Sequence, residues 1–281
     1  MKPGQFFPTC RLSRAVTILL FAFLLLSLVG CSKRSVLVKV PAGDNIRGEC
    51  VVLLHGLSRT YRSMNRMQET LTDTGYHTVS LNYPSTKKTI ESIAGEDFPP
   101  ALDKCREFNP AAIHFVTHSL GGIVIRQAFS KKRPVNLGRV VMLSPPNRGS
   151  AVVDKLKDWW FYIWLNGPVG QQLSTDADSV PNQLGSVDYP VGIITGDRHA
   201  FFDAWFSFLI PGRDDGKVSV EHAQVDGMRD FLVVHESHPF IMNSDYVMAE
   251  TVYFLRKGTF KHQKDPVPPA PGADWFSFTT R

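Results

Sequence analysis

The side chains best suited to chemistry in this chain gather around one serine. Ser119 lies in AAIHFVTHSLGGIVI, residues 111–125. An apolar run from Ile113 to Thr117 breaks at His118-Ser119-Leu120-Gly121-Gly122 and resumes as an apolar segment. That pattern predicts a buried strand, a sharp turn and a helix, with Ser119 at the tip of the turn. A hydroxyl placed there can attack an electrophilic carbon, but serine is a weak nucleophile at neutral pH. It needs an imidazole to take its proton and a carboxylate to hold that imidazole. Two histidines, His235 and His238, follow the last apolar strand of the chain. Two acids stand in suitable places: Asp197 directly after a strand, and Asp215 in Arg213-Asp214-Asp215-Gly216-Lys217-Val218. The residues alone leave both choices open. They also leave the bland alternative, Ser119 as a helix N-cap.

Positioning these groups requires a scaffold. Short, continuously apolar runs predict strands over 36–40, 51–54, 77–81, 113–117, 139–143, 191–195 and 231–234. Helices are predicted over 61–74, 87–108 with a break at Pro99-Pro100, 120–129 and 243–257. Met64, Met67 and Leu71 share one face of the first of these, and Val247, Thr251 and Phe254 one face of the last. Strands that are apolar throughout and alternate with helices imply a mostly parallel sheet of about six to seven strands, covered on both faces.

Composition narrows the class. The chain has 281 residues, 43% of them hydrophobic and 20% charged, which is ordinary for a globular domain. The net charge of +5 is partly a property of the N-terminus. Setting aside Lys2, Arg11 and Arg14 leaves 28 basic against 26 acidic residues, so no basic face calls for nucleic acid. No glycine-rich phosphate loop and no zinc-type His/Cys spacing occurs, and neither cofactor nor metal is expected.

The first thirty residues read as an export signal: three positive charges up to Arg14, then an apolar run from Ala15 to Val29. The ending Leu28-Val29-Gly30-Cys31 resembles a bacterial lipobox, which implies cleavage before Cys31 and lipid attachment to it. Ser32 after the cysteine points to outer-membrane sorting, with the protein facing the periplasm. The alternative is an uncleaved membrane helix, for which the run is short. The expected division is a signal peptide over 1–30, a lipidated tether over 31–48, the folded domain over 49–260 and a Pro-rich tail over 261–281.

Five segments together carry a resemblance: Val51 to Leu57, Phe115 to Arg126, Ser144 to Ser150, Arg213 to Val220, and Ser237 to Met242. The chain resembles the α/β-hydrolase superfamily, in particular bacterial lipase- and esterase-like proteins, over about 51–257. His118-Ser119-Leu120-Gly121 is close to the nucleophile elbow G-x-S-x-G, with Thr117 in place of the first glycine. The resemblance implies an α/β-hydrolase fold with a small aromatic-rich lid region. It selects Ser119 as nucleophile, Asp215 (before its glycine) over Asp197, and His238 over His235. It also implies an oxyanion hole from the backbone N–H groups of Leu57, after His55-Gly56, and of Leu120. His55 and His118 are read as structural. In such a sheet the strands after Cys50 and Cys105 are parallel neighbours, which implies a disulfide between these two cysteines at the edge opposite the catalytic loops.

Two aromatic stretches match no motif: Trp159 to Leu165, and Phe201-Phe202 with Trp205-Phe206 and 208–210. They read either as a lid or acyl pocket able to touch lipid, or as core beneath a long loop. The expected function is a lipid-anchored carboxylic-ester hydrolase of the cell envelope, acting on a small acyl ester or a lipid. The alternatives are acyl transfer on the same residues, or a non-catalytic binding or assembly factor.

Overall fold

The computed structural model describes residues 34–43, 46–200 and 208–262. The expected leader, Cys31, most of the Pro-rich tail and the stretch Phe201 to Phe206 lie outside these residues.

Seven strands form one sheet in the order β1-β3-β2-β4-β5-β6-β7. They are β1 Ser35–Lys39, β2 Cys50–Leu54, β3 His77–Asn82, β4 Ile113–His118, β5 Leu137–Leu143, β6 Val191–Arg198 and β7 Asp230–Ser237. All neighbours are parallel except β1, which runs antiparallel to β3. The strands are apolar throughout because both faces are buried. Successive side chains point to opposite faces. Val52, Leu54, Phe115, Val140 and Met142 therefore enter one core, and Val51, Leu53, Val116, Val141 and Leu143 the other.

The helices fill those two faces. They are α1 Asn65–Asp73, α2 Phe98–Arg106, α3 Leu120–Lys131, α4 Ala151–Leu156, α5 Trp160–Gln171 and α6 Asp245–Lys257, with shorter turns between. Met67 and Leu71 of α1 pack with Val247 and Phe254 of α6 under one face. Ile123, Val124 and Ile125 of α3 pack with Phe98 and Leu102 of α2 under the other. The α3 helix, buried on almost every side, accordingly carries a mostly apolar sequence.

Three expectations are corrected. The helical stretch expected over 87–108 does not break at Pro99-Pro100. Those prolines sit in the first turn of α2, and the irregularity precedes them as a wide turn over Ile93–Asp97. Proline lacks the N–H to bond back and its ring crowds the carbonyl four residues earlier, so the turn opens just ahead of it. The strand expected over 231–234 continues to Ser237, so His235 lies within β7 and only His238 follows it. Likewise Asp197 lies inside β6 rather than beyond it.

Cys50, the first residue of β2, is joined to Cys105 of α2 by a disulfide, with Cα atoms 6.0 Å apart. Both residues are fully buried. The bond spans a sequence separation of 55 and clamps α2 to the amino end of the sheet. Closing a loop of that length is worth up to about 4 kcal/mol. Urea unfolding of the Cys105→Ser variant should reveal a loss approaching that figure. A loss below about 1 kcal/mol would mean that the reduced unfolded chain is already compact in this region.

Candidate active site

Ser119 links the carboxyl end of β4 to the first turn of α3. Its backbone lies at φ 51°, ψ −120°, a conformation that costs a non-glycine residue about 1–3 kcal/mol. Its N–H donates to the Leu143 carbonyl at 2.8 Å, and its own carbonyl accepts from Gly122 N–H at 2.9 Å. The turn needs glycine at 121: a methyl group there would lie 2.8 Å from the Leu54 oxygen and 2.9 Å from the Leu54 Cβ. Thr117 takes the place where the elbow pattern has glycine, and Gly122 supplies the missing space. A methyl group on Gly122 would meet Pro145 Cβ at 3.1 Å, Met142 Sδ at 3.3 Å and Thr117 Oγ1 at 3.4 Å.

The structure brings Ser119, His238 and Asp215 together. His238 Nδ1 is 2.8 Å from Asp215 Oδ2, and its Nε2 is 3.0 Å from Ser119 Oγ. A carboxylate only accepts, so the proton sits on Nδ1 and Nε2 is left to accept from the serine hydroxyl. Asp215 is fully buried in the turn after Asp214. Its Oδ1 accepts from the N–H groups of Lys217 at 3.1 Å and Val218 at 2.9 Å, and its carbonyl accepts from His238 N–H at 2.9 Å. Burial pushes its carboxyl up, but the charge and hydrogen bond of His238, helped by the Ser144 hydroxyl and the Val218 N–H, hold it below its ordinary value. It is therefore ionised at neutral pH. The two alternative residues pair with each other instead: Asp197 Oδ1 lies 3.1 Å from His235 Nδ1 and its other oxygen accepts from Arg213.

Two further histidines shape the site, and their sequence positions alone do not reveal how. The Tyr83 N–H donates to His55 Nε2 at 3.3 Å, which puts the His55 proton on Nδ1. That Nδ1–H donates to the Gly56 carbonyl at 2.8 Å. The Tyr83 ring stacks on the imidazole at 4.1 Å, and its hydroxyl donates to the His55 carbonyl. The C=O and the following N–H of a trans peptide point in opposite directions. Pinning the Gly56 carbonyl on His55 therefore turns the Leu57 N–H away from His55. Among the described residues neither the Leu57 N–H nor the Leu120 N–H has a hydrogen-bond partner. Gly56 also touches the elbow, since a methyl group on it would lie 3.1 Å from Ser119 Cβ and 2.8 Å from His118 Nδ1. His118 in turn donates from Nε2 to the His238 carbonyl at 3.0 Å, steadying the backbone that carries that imidazole. The only hints in sequence were the His-Gly after a strand and the His beside the serine; Tyr83 gave none.

The profile of the alpha/beta hydrolase family matches residues 51–274. No curated protein sequence matches the chain. Among solved structures, the mature form of the Bacillus licheniformis lipase BlEst2 is similar with a TM-score of 0.64 at 16% identity, over 79% of this chain and 98% of that one. A Paleococcus ferrophilus monoacylglycerol lipase has a TM-score of 0.53 at 15% identity, over 80% of this chain and 99% of that one. The Legionella pneumophila phospholipase PlaB has a TM-score of 0.52 at 21% identity, over 63% of this chain and 45% of that one. At these identities the likeness is one of fold.

Burial holds His55 down to about 4 from 6.5, against the opposing pull of the Gly56 carbonyl. Burial, with the nearby charge of His238, holds His118 down in the same sense. As pH falls below about 6.5 the unfolded chain takes up a proton at His55 that the fold refuses until about 4. Stability should therefore be complete above that window and decline by about 3 kcal/mol across it from this one group. Urea midpoints measured between neutral pH and pH 4 should fall accordingly, and His55→Gln should flatten the slope. An unchanged slope in that variant would place the titration elsewhere.

Proposed function

The chain belongs to the alpha/beta hydrolase family, and from that premise we propose that it is a serine hydrolase cleaving carboxylic esters through an acyl-enzyme. The observation that carries this reading is the continuous chain from the Ser119 hydroxyl through His238 to the buried Asp215. In the proposed mechanism His238 Nε2 accepts the Ser119 proton as Oγ attacks the acyl carbon. Asp215 stays ionised and stabilises the imidazolium that forms. The Leu57 and Leu120 N–H groups receive the developing oxyanion. Collapse expels the alcohol, which takes its proton from His238, and leaves the acyl group on Ser119. Water, activated by the same imidazole, then releases the acid. His55, by holding the Gly56 peptide, is a positioning residue for the Leu57 donor, and His118 one for His238.

Support for an ester comes from the site rather than from the fold. The geometry offers a nucleophile, a base in the matching tautomer and two unpaired donors, which is the equipment of acyl transfer. The fold neighbours that are a lipase and a monoacylglycerol lipase agree with an acyl ester as substrate. The sequence of the N-terminus adds the cellular setting: the chain is exported, carries lipid on Cys31, and works from the periplasmic face of the outer membrane.

Ser119→Ala, His238→Ala and Asp215→Asn should each reduce hydrolysis of a soluble nitrophenyl ester by about 10³-fold or more, and the losses should not add. Asp197→Asn should stay within a few-fold of wild type. Equal damage from Asp197→Asn and Asp215→Asn would sink the assignment of the acid, and labelling of Ser119→Ala by a fluorophosphonate would sink that of the nucleophile. His55→Ala should lower kcat by about 10- to 100-fold with little change in KM, as expected when an oxyanion donor loses its alignment. For the anchor, Cys31→Ala should abolish incorporation of labelled fatty acid; undiminished labelling would remove that part of the proposal.

A further inference from the structure

The first half of α5 touches the core through Tyr162 and leaves its large apolar side chains on the other sides uncovered. Residues 160–165 read Trp-Phe-Tyr-Ile-Trp-Leu, without a single charge. A helix apolar on every side belongs in an apolar surrounding. Yet Trp160 is 78% and Trp164 63% exposed, and Trp159, Phe161 and Ile163 are exposed beside them. The far end of the helix is the part that is buried in the fold. Val169 and Gly170 are buried, and Gly167 at φ 61° breaks the helical path between the two halves. Of the expected alternatives, core packing beneath a loop therefore holds for Tyr162, which packs on the core, but not for Trp159, Trp160, Phe161, Ile163 and Trp164.

The helix sits at the carboxyl edge of the sheet, beside the candidate site. Gly167 packs against the Thr86 carbonyl so closely that a methyl group would overlap it. Gln172 Oε1 accepts from the Ile90 N–H at 2.7 Å. The neighbouring Ser85 hydroxyl accepts from the N–H of Ser58, next to Leu57. Phe240, two residues past His238, is a further exposed aromatic at this edge.

A second, independent feature leads to the same edge. Because β1 is antiparallel, Ser35 pairs with Asn82, the last residue of β3. The fold is thus entered at the carboxyl edge, directly after a stretch whose sequence contains the apolar run Ala15 to Val29 and Cys31. Tryptophans with an apolar body and a polar N–H favour the boundary between headgroups and acyl chains. No helix of the described residues is long and apolar enough to cross a membrane, so α5 is suited to lie in the interface rather than span it.

We propose that the carboxyl edge of the sheet docks on a lipid bilayer, with Trp159, Trp160, Phe161, Ile163, Trp164 and Phe240 entering the headgroup–acyl boundary and Ser119 facing the membrane. The docking does not depend on Ser119 being a nucleophile. The full chain is to be reconstituted with vesicles of phosphatidylethanolamine and phosphatidylglycerol, part of whose acyl chains are brominated near the headgroup. Tryptophan emission should be quenched, and the quenching should fall to less than about half in the variant Trp159→Ser/Trp160→Ser/Trp164→Ser. Should that variant fail to fold, judged by its urea midpoint, the wild type decides: vesicles should shield its emission from aqueous iodide by about twofold. Quenching that is absent, or the same in the variant, overturns the proposal, as does undiminished iodide access. Self-association that the triple variant abolishes, without bromine quenching, assigns the surface to a second copy of the chain. These readouts are independent of ester hydrolysis, so a failure here is distinct from a failure of the proposed reaction.

Discussion

The N-terminal turn of α3 lies against the end of β2 with no space for a methyl group between Gly121 and the Leu54 carbonyl. This contact sets the height of Ser119 above the sheet. It also decides which loops can be neighbours. The chain leaving β2 must pass the elbow at His55 and Gly56, and it does so within van der Waals contact of Ser119 and His118. A larger residue at 121 would lift the helix, and with it both the serine and the Leu120 N–H. The two adjacent glycines divide the labour: Gly121 admits β2, while Gly122 makes room for Thr117, Met142 and Pro145 beneath.

Three imidazoles crowd around this turn, and the structure treats them differently. His55 is fixed as a neutral ring by one donated and one accepted hydrogen bond. His118 donates to the carbonyl of His238 and is kept neutral by burial and by the nearby charge of that residue. Only His238 has a carboxylate at hydrogen-bond distance on one side and a hydroxyl on the other. Were all three rings free to ionise, their mutual repulsion would work against a positive charge on any one of them.

Much of the fold was legible in the sequence because its signals are local. Strands apolar on both faces, such as Val51 to Leu54, show as uninterrupted runs, and their alternation with helices implies the parallel sheet. Ser119 and Asp215, chosen with His238 by motif, both lie within hydrogen-bond reach of its ring. Without the motif, the residues alone could not rank the two acids at the same edge. Asp197 and Asp215 both stand near strand ends, and only the pairing across β6 and β7 shows Asp197 engaged with His235 and Arg213. The continuation of β7 to Ser237 was hidden because Glu236 and Ser237 lack the apolar character by which the rest of the strand was recognised. The Pro99-Pro100 irregularity was displaced toward the N-terminus, since a proline disturbs the turn before it rather than its own. The exposure of Trp160 and Trp164 had no local signal at all: a run of large aromatics looks the same whether a core or something outside the molecule is to cover it.

The bond from Cys50 to Cys105 has a consequence for where the protein is fit to work. It fastens the root of β2, the strand whose opposite end carries His55 and Gly56. A domain has only some 5–15 kcal/mol in hand, and a covalent tie across a loop of this size is a sizeable share of it. Where thiols are kept reduced, the same fold would lack that tie and be the less stable for it. The firmness of the strand that leads into His55 and Gly56 is thereby tied to the oxidation state of two cysteines at its far end.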